Sequence, residues 1–251
     1  MTSAAMNSAV TSALAVDGLT KSYGSHRAVD ALSFIVPAGS LTALIGPNGA
    51  GKSTTMRILA GLQEQDSGTI RISGEDASGS LLARKTHCGI TPQELAMFDF
   101  LSGRESLALV ASVRGAGDVN AEIERWLRLT TLTDVADRLV NTYSGGMKRK
   151  LAVACALLTR PPLVILDESF TGLDPESTHA LQAELRSYCE DGGAVLLSSH
   201  ILDMLQVICD RAVVMRFGQH MVTLEGDEFK ALANVPGGLT KAYLSWTQDA
   251  S

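Results

Sequence analysis

At residues 46–54 the chain reads Gly46-Pro47-Asn48-Gly49-Ala50-Gly51-Lys52-Ser53-Thr54, a stretch called here the phosphate loop. It fits the pattern Gly-x-x-x-x-Gly-Lys-Ser/Thr, in which glycines let the backbone approach a phosphate closely. The apolar run Leu41–Ile45 before it predicts a strand, and residues 52–62 after it predict a helix. The N–H groups of such a loop and of the helix N-terminus face an anion, so this stretch predicts a nucleotide-phosphate site.

All nine residues of the phosphate loop are therefore candidate nucleotide-binding residues. The Lys52 side chain is expected to reach the β- and γ-phosphates, and the Ser53 hydroxyl is expected to bind Mg²⁺. ATP and Mg²⁺ are the predicted ligands.

A second informative stretch is the apolar run 163–166, which ends in Asp167 and Glu168. A buried strand that ends in two carboxylates places both at the carboxyl edge of the sheet, beside the phosphates. Asp167 is expected to hold Mg²⁺, and Glu168 is expected to act as the general base that polarises the attacking water. The Asn-Lys-x-Asp motif of guanine specificity occurs nowhere in the chain, so the pattern favours an ATPase over a GTPase.

Strand and helix patterns alternate along the rest of the chain. Strands are predicted at residues 29–36, 69–74, 194–198 and 212–215, and helices between residues 101 and 139. Ser144 can cap a further helix that runs through Leu158, before Pro161 and Pro162 end it. The buried type of several strands is typical of a mostly parallel sheet. The prediction is an α/β nucleotide-binding core that is interrupted by a helical insert.

Composition limits the alternatives. The 251 residues are 45% hydrophobic and 19% charged with a net charge of −6, as in a globular protein that lacks the broad basic face of nucleic-acid binders. The four cysteines lack metal-ligand spacing, which predicts reduced, buried thiols and a cytosolic protein. No apolar run is long enough to cross a bilayer, and residues 1–16 lack the basic start of a signal peptide.

The third informative stretch is Ser144-Gly145-Gly146, called here the signature segment, which precedes Asp167 by 23 residues. Together with the phosphate loop and the acidic pair, it resembles the nucleotide-binding subunit of ATP-binding-cassette (ABC) transporters over residues 14–224. The resemblance implies a P-loop NTPase core whose mixed, mostly parallel sheet has an N-terminal antiparallel β portion, with an inserted α-helical lobe. It implies a flexible tail (1–13), an ATPase domain (14–225) with the lobe at about 96–158, and a short helical extension (226–251).

The resemblance also implies roles for single residues. In the family, the signature segment contacts the γ-phosphate of ATP held by the opposite protomer, and Ser and Gly at a helix N-terminus suit an anion. Tyr23 resembles the aromatic that stacks on adenine, and Gln93 resembles the glutamine that touches Mg²⁺ and the water. Asp174 lies in a loop similar to the one that crosses the dimer interface, and His200 resembles the histidine that contacts the γ-phosphate.

Tyr143 and Met147, which flank the signature segment, replace the Leu and Gln of many members. This variant resembles the branch that pairs with a separate membrane protein and exports drugs, lipids or polysaccharides. Ser169-Phe170 replaces the usual Pro-Thr/Ser after the acidic pair and is expected to alter local packing. Ser102, in a segment that imitates the signature, is expected to start the insert. A cluster of apolar residues after Gln93 is expected to form a groove floor for a helix of the membrane partner, or alternatively to pack the insert: Leu95, Met97, Phe98, Phe100 and Leu101.

The predicted function is that of the ATP-hydrolysing subunit of an exporter, on the cytoplasmic side of the membrane. Its expected partners are a second nucleotide-binding domain and a polytopic permease, with no nucleic acid. The alternative is a soluble ABC ATPase in repair, translation or assembly. Only 51 residues separate Gln93 from Ser144, and a single cassette is present, which disfavours long coiled-coil and tandem versions. A non-hydrolysing scaffold is disfavoured by the complete set of catalytic residues.

Overall fold

The computed structural model describes residues 12–248, which form two β-sheets and surrounding helices. The strands are β1 (Ser12–Tyr23), β2 (His26–Pro37), β3 (Leu41–Ile45), β4 (Ser67–Ile72), β5 (Glu75–Asp76), β6 (Cys88–Thr91), β7 (Leu163–Asp167), β8 (Ala194–Ser198), β9 (Arg211–Arg216) and β10 (Gln219–Glu225). The helices are α1 (Lys52–Leu59), α2 (Leu81–His87), α3 (Gly103–Val113), α4 (Asn120–Leu129), α5 (Gly145–Leu157), α6 (Pro175–Glu190), α7 (Leu202–Ile208), α8 (Gly226–Ala233) and α9 (Gly238–Gln248).

The first sheet is antiparallel and has the strand order β2-β1-β4-β5. It matches the N-terminal antiparallel portion that the sequence predicted. Its strand β1 begins at Ser12, so Ser12 and Ala13 lie in a strand rather than in the predicted tail. Residues 1–11 of that tail lie outside the described residues.

The second sheet has the order β10-β9-β3-β8-β7-β6, and its strands β9, β3, β8, β7 and β6 run parallel. Every residue of β3, β7 and β8 is buried, which explains why these strands are mostly apolar in the sequence. The α/β fold class is confirmed. Because the strands are parallel, the carboxyl ends of β3, β6, β7 and β8 meet at one edge of this sheet.

Helices α3, α4 and α5 occupy most of the region between residues 103 and 157. Ser102 caps α3 through a capping box with Glu105. The Ser102-Gly103 pair, which resembles the signature segment, is therefore a helix start. Ser144 caps α5 as predicted, although α5 ends at Leu157. Trp126 and Leu127 of α4 are fully buried and anchor this group of helices to the core. The predicted lobe boundaries at 96 and 158 stay predictions.

Some elements differ from the sequence prediction. Helix α1 ends at Leu59 instead of residue 62, because the chain turns at Gly61 with a positive φ of 70°. Two helices, α8 and α9, follow residue 225, and residues 249–251 of the predicted extension lie outside the described part. All four cysteines are free; Cys155 is half-buried, and the other three are buried. None of the helices between residues 12 and 248 has the length and apolar character that crossing a membrane requires.

Candidate functional site

The phosphate loop connects β3 to α1 at the carboxyl edge of the parallel sheet, and two of its glycines have no room for a side chain. A Cβ atom on Gly51 would lie 2.2 Å from the carbonyl oxygen of Ala28, and φ of Gly51 is +96°. A Cβ atom on Gly46 would lie 2.4 Å from the carbonyl oxygen of Met215. The loop is therefore pressed against the ends of β2 and β9, and this close packing fixes its shape.

Lys52, the first residue of α1, folds its side chain back over the loop. Its Nζ atom donates hydrogen bonds to the carbonyl oxygens of Gly46 at 2.7 Å and Pro47 at 3.1 Å. Burial lowers the pKa of Lys52, whereas the nearby carboxylates of Glu168 and Asp167 act to raise it. The ammonium group thus lies between the loop and the acidic pair.

Asp167, the last residue of β7, is buried and held by a neighbouring strand. Its Oδ1 atom accepts a hydrogen bond of 2.5 Å from the hydroxyl of Ser198, which lies directly opposite in β8. Ser198 was not among the predicted site residues. The available signal was a hydroxyl at the end of a buried strand, and only the strand register reveals its contact with Asp167.

Glu168 follows β7 in a backbone conformation that residues with a side chain rarely adopt, with φ of +52°. Its N–H donates to the carbonyl and hydroxyl oxygens of Ser198, each at 3.2 Å. Its Oε2 atom accepts from the backbone N–H of His200 at 3.3 Å and from the Thr171 hydroxyl at 3.4 Å. The Glu168 carboxylate is thus oriented by two neighbouring segments.

The other carboxylate oxygen of Glu168, Oε1, is buried and accepts no hydrogen bond within residues 12–248. It lies 3.3 Å from Nε2 of His200, whose own side chain is 59% exposed. An oriented carboxylate with one uncommitted oxygen can accept a proton from a water molecule.

Three more predicted residues lie around the same cleft. The Ser53 hydroxyl is 3.5 Å from Oε1 of Gln93, and Tyr23, half-exposed, accepts a hydrogen bond from Gln63. The cleft has a volume of about 510 Å³, within the range of small-molecule sites. Its walls are formed by Tyr23, His26, Ala28, Asn48, Gly49, Ala50, Gly51, Lys52, Ser53, Thr54, Gln93, Asp167, Glu168 and His200.

The oxygen atoms in this cleft can be compared with what a metal ion needs. Within residues 12–248, no three His, Cys, Asp or Glu side chains group closely enough to hold a metal ion alone. The site instead offers one carboxylate (Asp167), one hydroxyl (Ser53) and one amide oxygen (Gln93). This set of few, hard oxygen donors fits Mg²⁺, which commonly keeps waters and binds through substrate phosphates.

The signature segment lies outside this cleft, and Ser144 and Gly145 are exposed. The Ser144 hydroxyl accepts from the N–H of Met147 at 3.2 Å and so caps α5. A Cβ atom on Gly145 would meet nothing within 4 Å, but one on Gly146 would lie 2.9 Å from the carbonyl oxygen of Gly172. The N-terminus of α5 therefore presents an open face on one side and packs tightly on the other.

The loop after the acidic pair is fixed to α5 through Asp174. Its carboxylate caps α6 by accepting from the N–H of Ser177 at 2.8 Å, and it pairs with Nζ of Lys150 at 2.8 Å. The hydrogen bond from Lys150, and to a smaller extent those from Ser177, hold the pKa of the Asp174 carboxyl well below its usual range. Asp174 is half-exposed and, like the signature segment, stands apart from the cleft.

Comparisons with known proteins agree with this geometry. The model of the ABC transporter family matches residues 29–171, more than half of the chain. The daunorubicin/doxorubicin resistance ATP-binding protein DrrA of Streptomyces peucetius is 39% identical over 217 residues, which are 85% of this chain and 66% of that protein. The Nod factor export ATP-binding protein I of Sinorhizobium fredii is 37% identical over 212 residues, 84% and 62% of the two chains.

The chain therefore spans just under two thirds of the length of these two relatives. A solved structure of an ATP-binding subunit of an ABC transporter matches this fold with a TM-score of 0.84 at 32% identity. That match covers 93% of this chain and 99% of the other.

Proposed function

Because the chain belongs to the ABC transporter family, we propose that it is the ATP-binding and ATP-hydrolysing subunit of a membrane exporter. One observation carries this proposal. Residues 48–54 of the phosphate loop, the acidic pair and His200 line a single cleft, whereas Gly46 and Pro47 lie behind it and bind Lys52 through their carbonyl groups. Ser144 and Gly145 of the signature segment are exposed elsewhere on the same chain. One chain thus gathers the proposed catalytic residues in one cleft, and its signature segment, a helix N-terminus that suits an anion, lies apart from that cleft.

Each side chain of the cleft has a distinct task in the proposed hydrolysis. The N–H groups of the phosphate loop and the Lys52 ammonium bind the phosphates, and Tyr23 stacks on the adenine. Glu168 takes a proton from the attacking water at its uncommitted Oε1 atom, and His200 contacts the γ-phosphate. Ser53, Gln93 and Asp167 would hold Mg²⁺, which when bound neutralises charge on the phosphates.

We propose that the second half of each site comes from another copy of this chain or from a close relative. The exposed N-terminus of α5 would bind the γ-phosphate in the partner's cleft, and Asp174 would lie at the interface between the two copies. Closure of the pair around ATP would then drive the attached membrane subunits, and hydrolysis would release it.

The substitution Glu168→Gln tests the catalytic part of this proposal. It removes the proton acceptor but keeps the size of the side chain, so we expect ATP turnover to fall by about 10²- to 10⁴-fold. ATP binding should persist, and the ATP-bound dimer should accumulate in size-exclusion chromatography. Glu190→Gln, an exposed site at the end of α6, is the control. Undiminished hydrolysis by the Glu168→Gln protein would refute the assignment of the base.

A separate surface is proposed for the membrane subunit. An apolar groove of about 280 Å³ lies between β6, α3 and α5, and it is lined by Ile90, Phe98, Leu109, Val110, Val113, Arg114, Cys155 and Ala156. Of the five residues predicted to form a groove floor, only Phe98 lines this groove. The other four do not: Phe100 is 86% exposed, Met97 packs against the core as the alternative prediction had it, and Leu95 and Leu101 lie outside the lining. We propose that a short cytoplasmic helix of the permease binds here, placing this chain peripherally on the cytoplasmic side.

Phe98→Glu tests the groove. A charge in an apolar contact should abolish coupling, so transport should fall at least tenfold while ATP hydrolysis by the isolated chain is unchanged. Leu82→Glu, an exposed apolar position on α2 outside the groove, is the control. Intact transport in the Phe98→Glu protein would contradict the assignment.

The export direction is supported by the name of the Sinorhizobium fredii relative, a Nod factor export ATP-binding protein, and by Tyr143 and Met147 around the signature segment. Co-purification with a polytopic membrane protein distinguishes this function from that of a soluble ABC ATPase. Transport of a labelled substrate out of cells or into inverted vesicles tests the direction.

A further inference from the structure

Arg149 makes a contact that neither the phosphate chemistry nor the fold of α5 requires. The half-buried side chain leaves α5 one turn after the signature segment, and its Nη1 atom donates a hydrogen bond to the backbone carbonyl oxygen of Glu168. A residue of the helix that begins at Ser144 thus holds the peptide group of the proposed general base of its own chain.

Arg149 is one of three links along one face of α5. Gly146, Arg149 and Lys150 are spaced i, i+3 and i+4, so they lie side by side on the helix. Gly146 approaches the carbonyl of Gly172, and Lys150 pairs with Asp174, both in the segment that follows Glu168. Residues 168–174 are therefore held against the first two turns of α5 at both of their ends, at Glu168 and at Gly172 and Asp174.

The conformation of Glu168 explains why its carbonyl needs a partner. With φ of +52°, the residue lies in a region that persists only where the surroundings hold it. Ser198 holds its N–H, Arg149 holds its carbonyl, and His200 and Thr171 hold its carboxylate. Loss of the carbonyl contact would let the peptide rotate, and the carboxylate would turn with it.

We propose that Arg149 is a positioning residue that aligns the Glu168 carboxylate according to the position of α5. This inference rests on the proposed ATPase function and extends it. When the N-terminus of α5 binds the partner's nucleotide, the position of α5 sets the position of Arg149, and Arg149 in turn holds the Glu168 backbone of the same chain. Each copy thereby couples the position of its own base to the binding of the partner's ATP.

The main variant is Arg149→Met, which keeps an unbranched side chain but cannot donate. If Arg149 aligns the base, kcat should fall by about 10- to 100-fold, as for a misplaced catalytic group. The KM for ATP should change by less than about twofold, because Arg149 does not touch the nucleotide cleft. The ATP-bound dimer should accumulate in the purified full chain, since binding and closure are intact. Arg149→Lys, which keeps a cationic donor, should recover part of kcat.

Lys148→Ala is the matched control, because Lys148 precedes Arg149 on α5 and pairs with Asp99 instead. The control should retain the wild-type kcat. Full kcat in the Arg149→Met protein would overturn the inference. So would a raised KM with loss of the ATP-bound dimer, or equal damage by the lysine variant, since these indicate a general structural role. An inactive wild-type chain would instead contradict the proposed ATPase function itself.

Discussion

The nucleotide cleft and the N-terminus of α5 both offer backbone N–H groups to an anion, but only the cleft gathers proposed catalytic side chains of the same chain beside them. In the cleft, Lys52 lies against the phosphate loop, Ser198 holds Asp167, and His200 lies beside Glu168. At the start of α5, Ser144 and Gly145 are exposed, and neither lines the cleft that holds the proposed catalytic side chains. The contrast supports the proposal that the second surface serves a site on another molecule.

Mixing two inactive variants tests this contrast most strongly. Lys52→Ala removes the phosphate ligand of the cleft, and Gly145→Glu places a negative charge on the open face of α5. Each variant alone should lose at least about 100-fold in ATP hydrolysis. In an equal mixture, half of the dimers contain one intact composite site, so about a quarter of the wild-type rate should return. Arg57→Ala, exposed on α1, serves as the control for Lys52. If the mixture stays inactive, the two surfaces do not form a shared site.

The two glycines of the signature segment differ in the same way: Gly145 faces open space, whereas Gly146 packs against its own chain. Gly146→Ala places a Cβ atom 2.9 Å from the carbonyl of Gly172, so the free energy of unfolding should fall by about 1–3 kcal/mol. Gly145→Ala meets no atom within 4 Å, so its stability should equal or exceed that of the wild type by up to about 1 kcal/mol. Urea denaturation of both variants measures the difference. Equal destabilisation would mean that Gly145 also packs within its own chain.

The smallest effect is expected from the ion pair that links α5 to the following loop. Because the folded pKa of Asp174 lies below its unfolded value, its pair with Lys150 stabilises the fold above about pH 4 and is lost as the pH falls further. Asp174→Asn keeps a capping side chain but removes the charge. The variant should therefore be less stable than the wild type at pH 7, with a smaller difference at pH 3. Urea midpoints at the two pH values check this, and a difference that grows in acid would contradict it.

The sequence predicted those parts of the fold whose environment is uniform. The strands at 41–45 and 194–198 were predicted with their observed limits, since both faces are buried and four of the five residues in each are apolar. Strand β1 was not predicted, because its pairing with two neighbours is interrupted by irregular registers and it mixes polar with apolar residues. Helix α6 was also missed, although Asp174 followed by Pro175 is a common helix start.

In the candidate site, the motifs and the resemblance to the family predicted the groups that would meet the nucleotide, and the cleft gathers most of them. It did not identify the groups that hold these residues in place. Ser198 contacts Asp167 through the register of β7 and β8, and Arg149 reaches Glu168 only because α5 packs against the end of β7. Such contacts depend on how segments that are distant in the sequence pack together, and local residue patterns do not predict this packing.

Helix α5 has a mechanical consequence of its own. Its 13 residues make a rod of about 20 Å. One end carries the exposed residues Ser144 and Gly145, while Cys155 and Ala156 near the other end line the apolar groove. A rod held by its packing cannot shift at one end and remain in place at the other. If binding of a nucleotide displaced the N-terminus of α5 by a few ångströms, the residues of α5 that line the groove would therefore move as well.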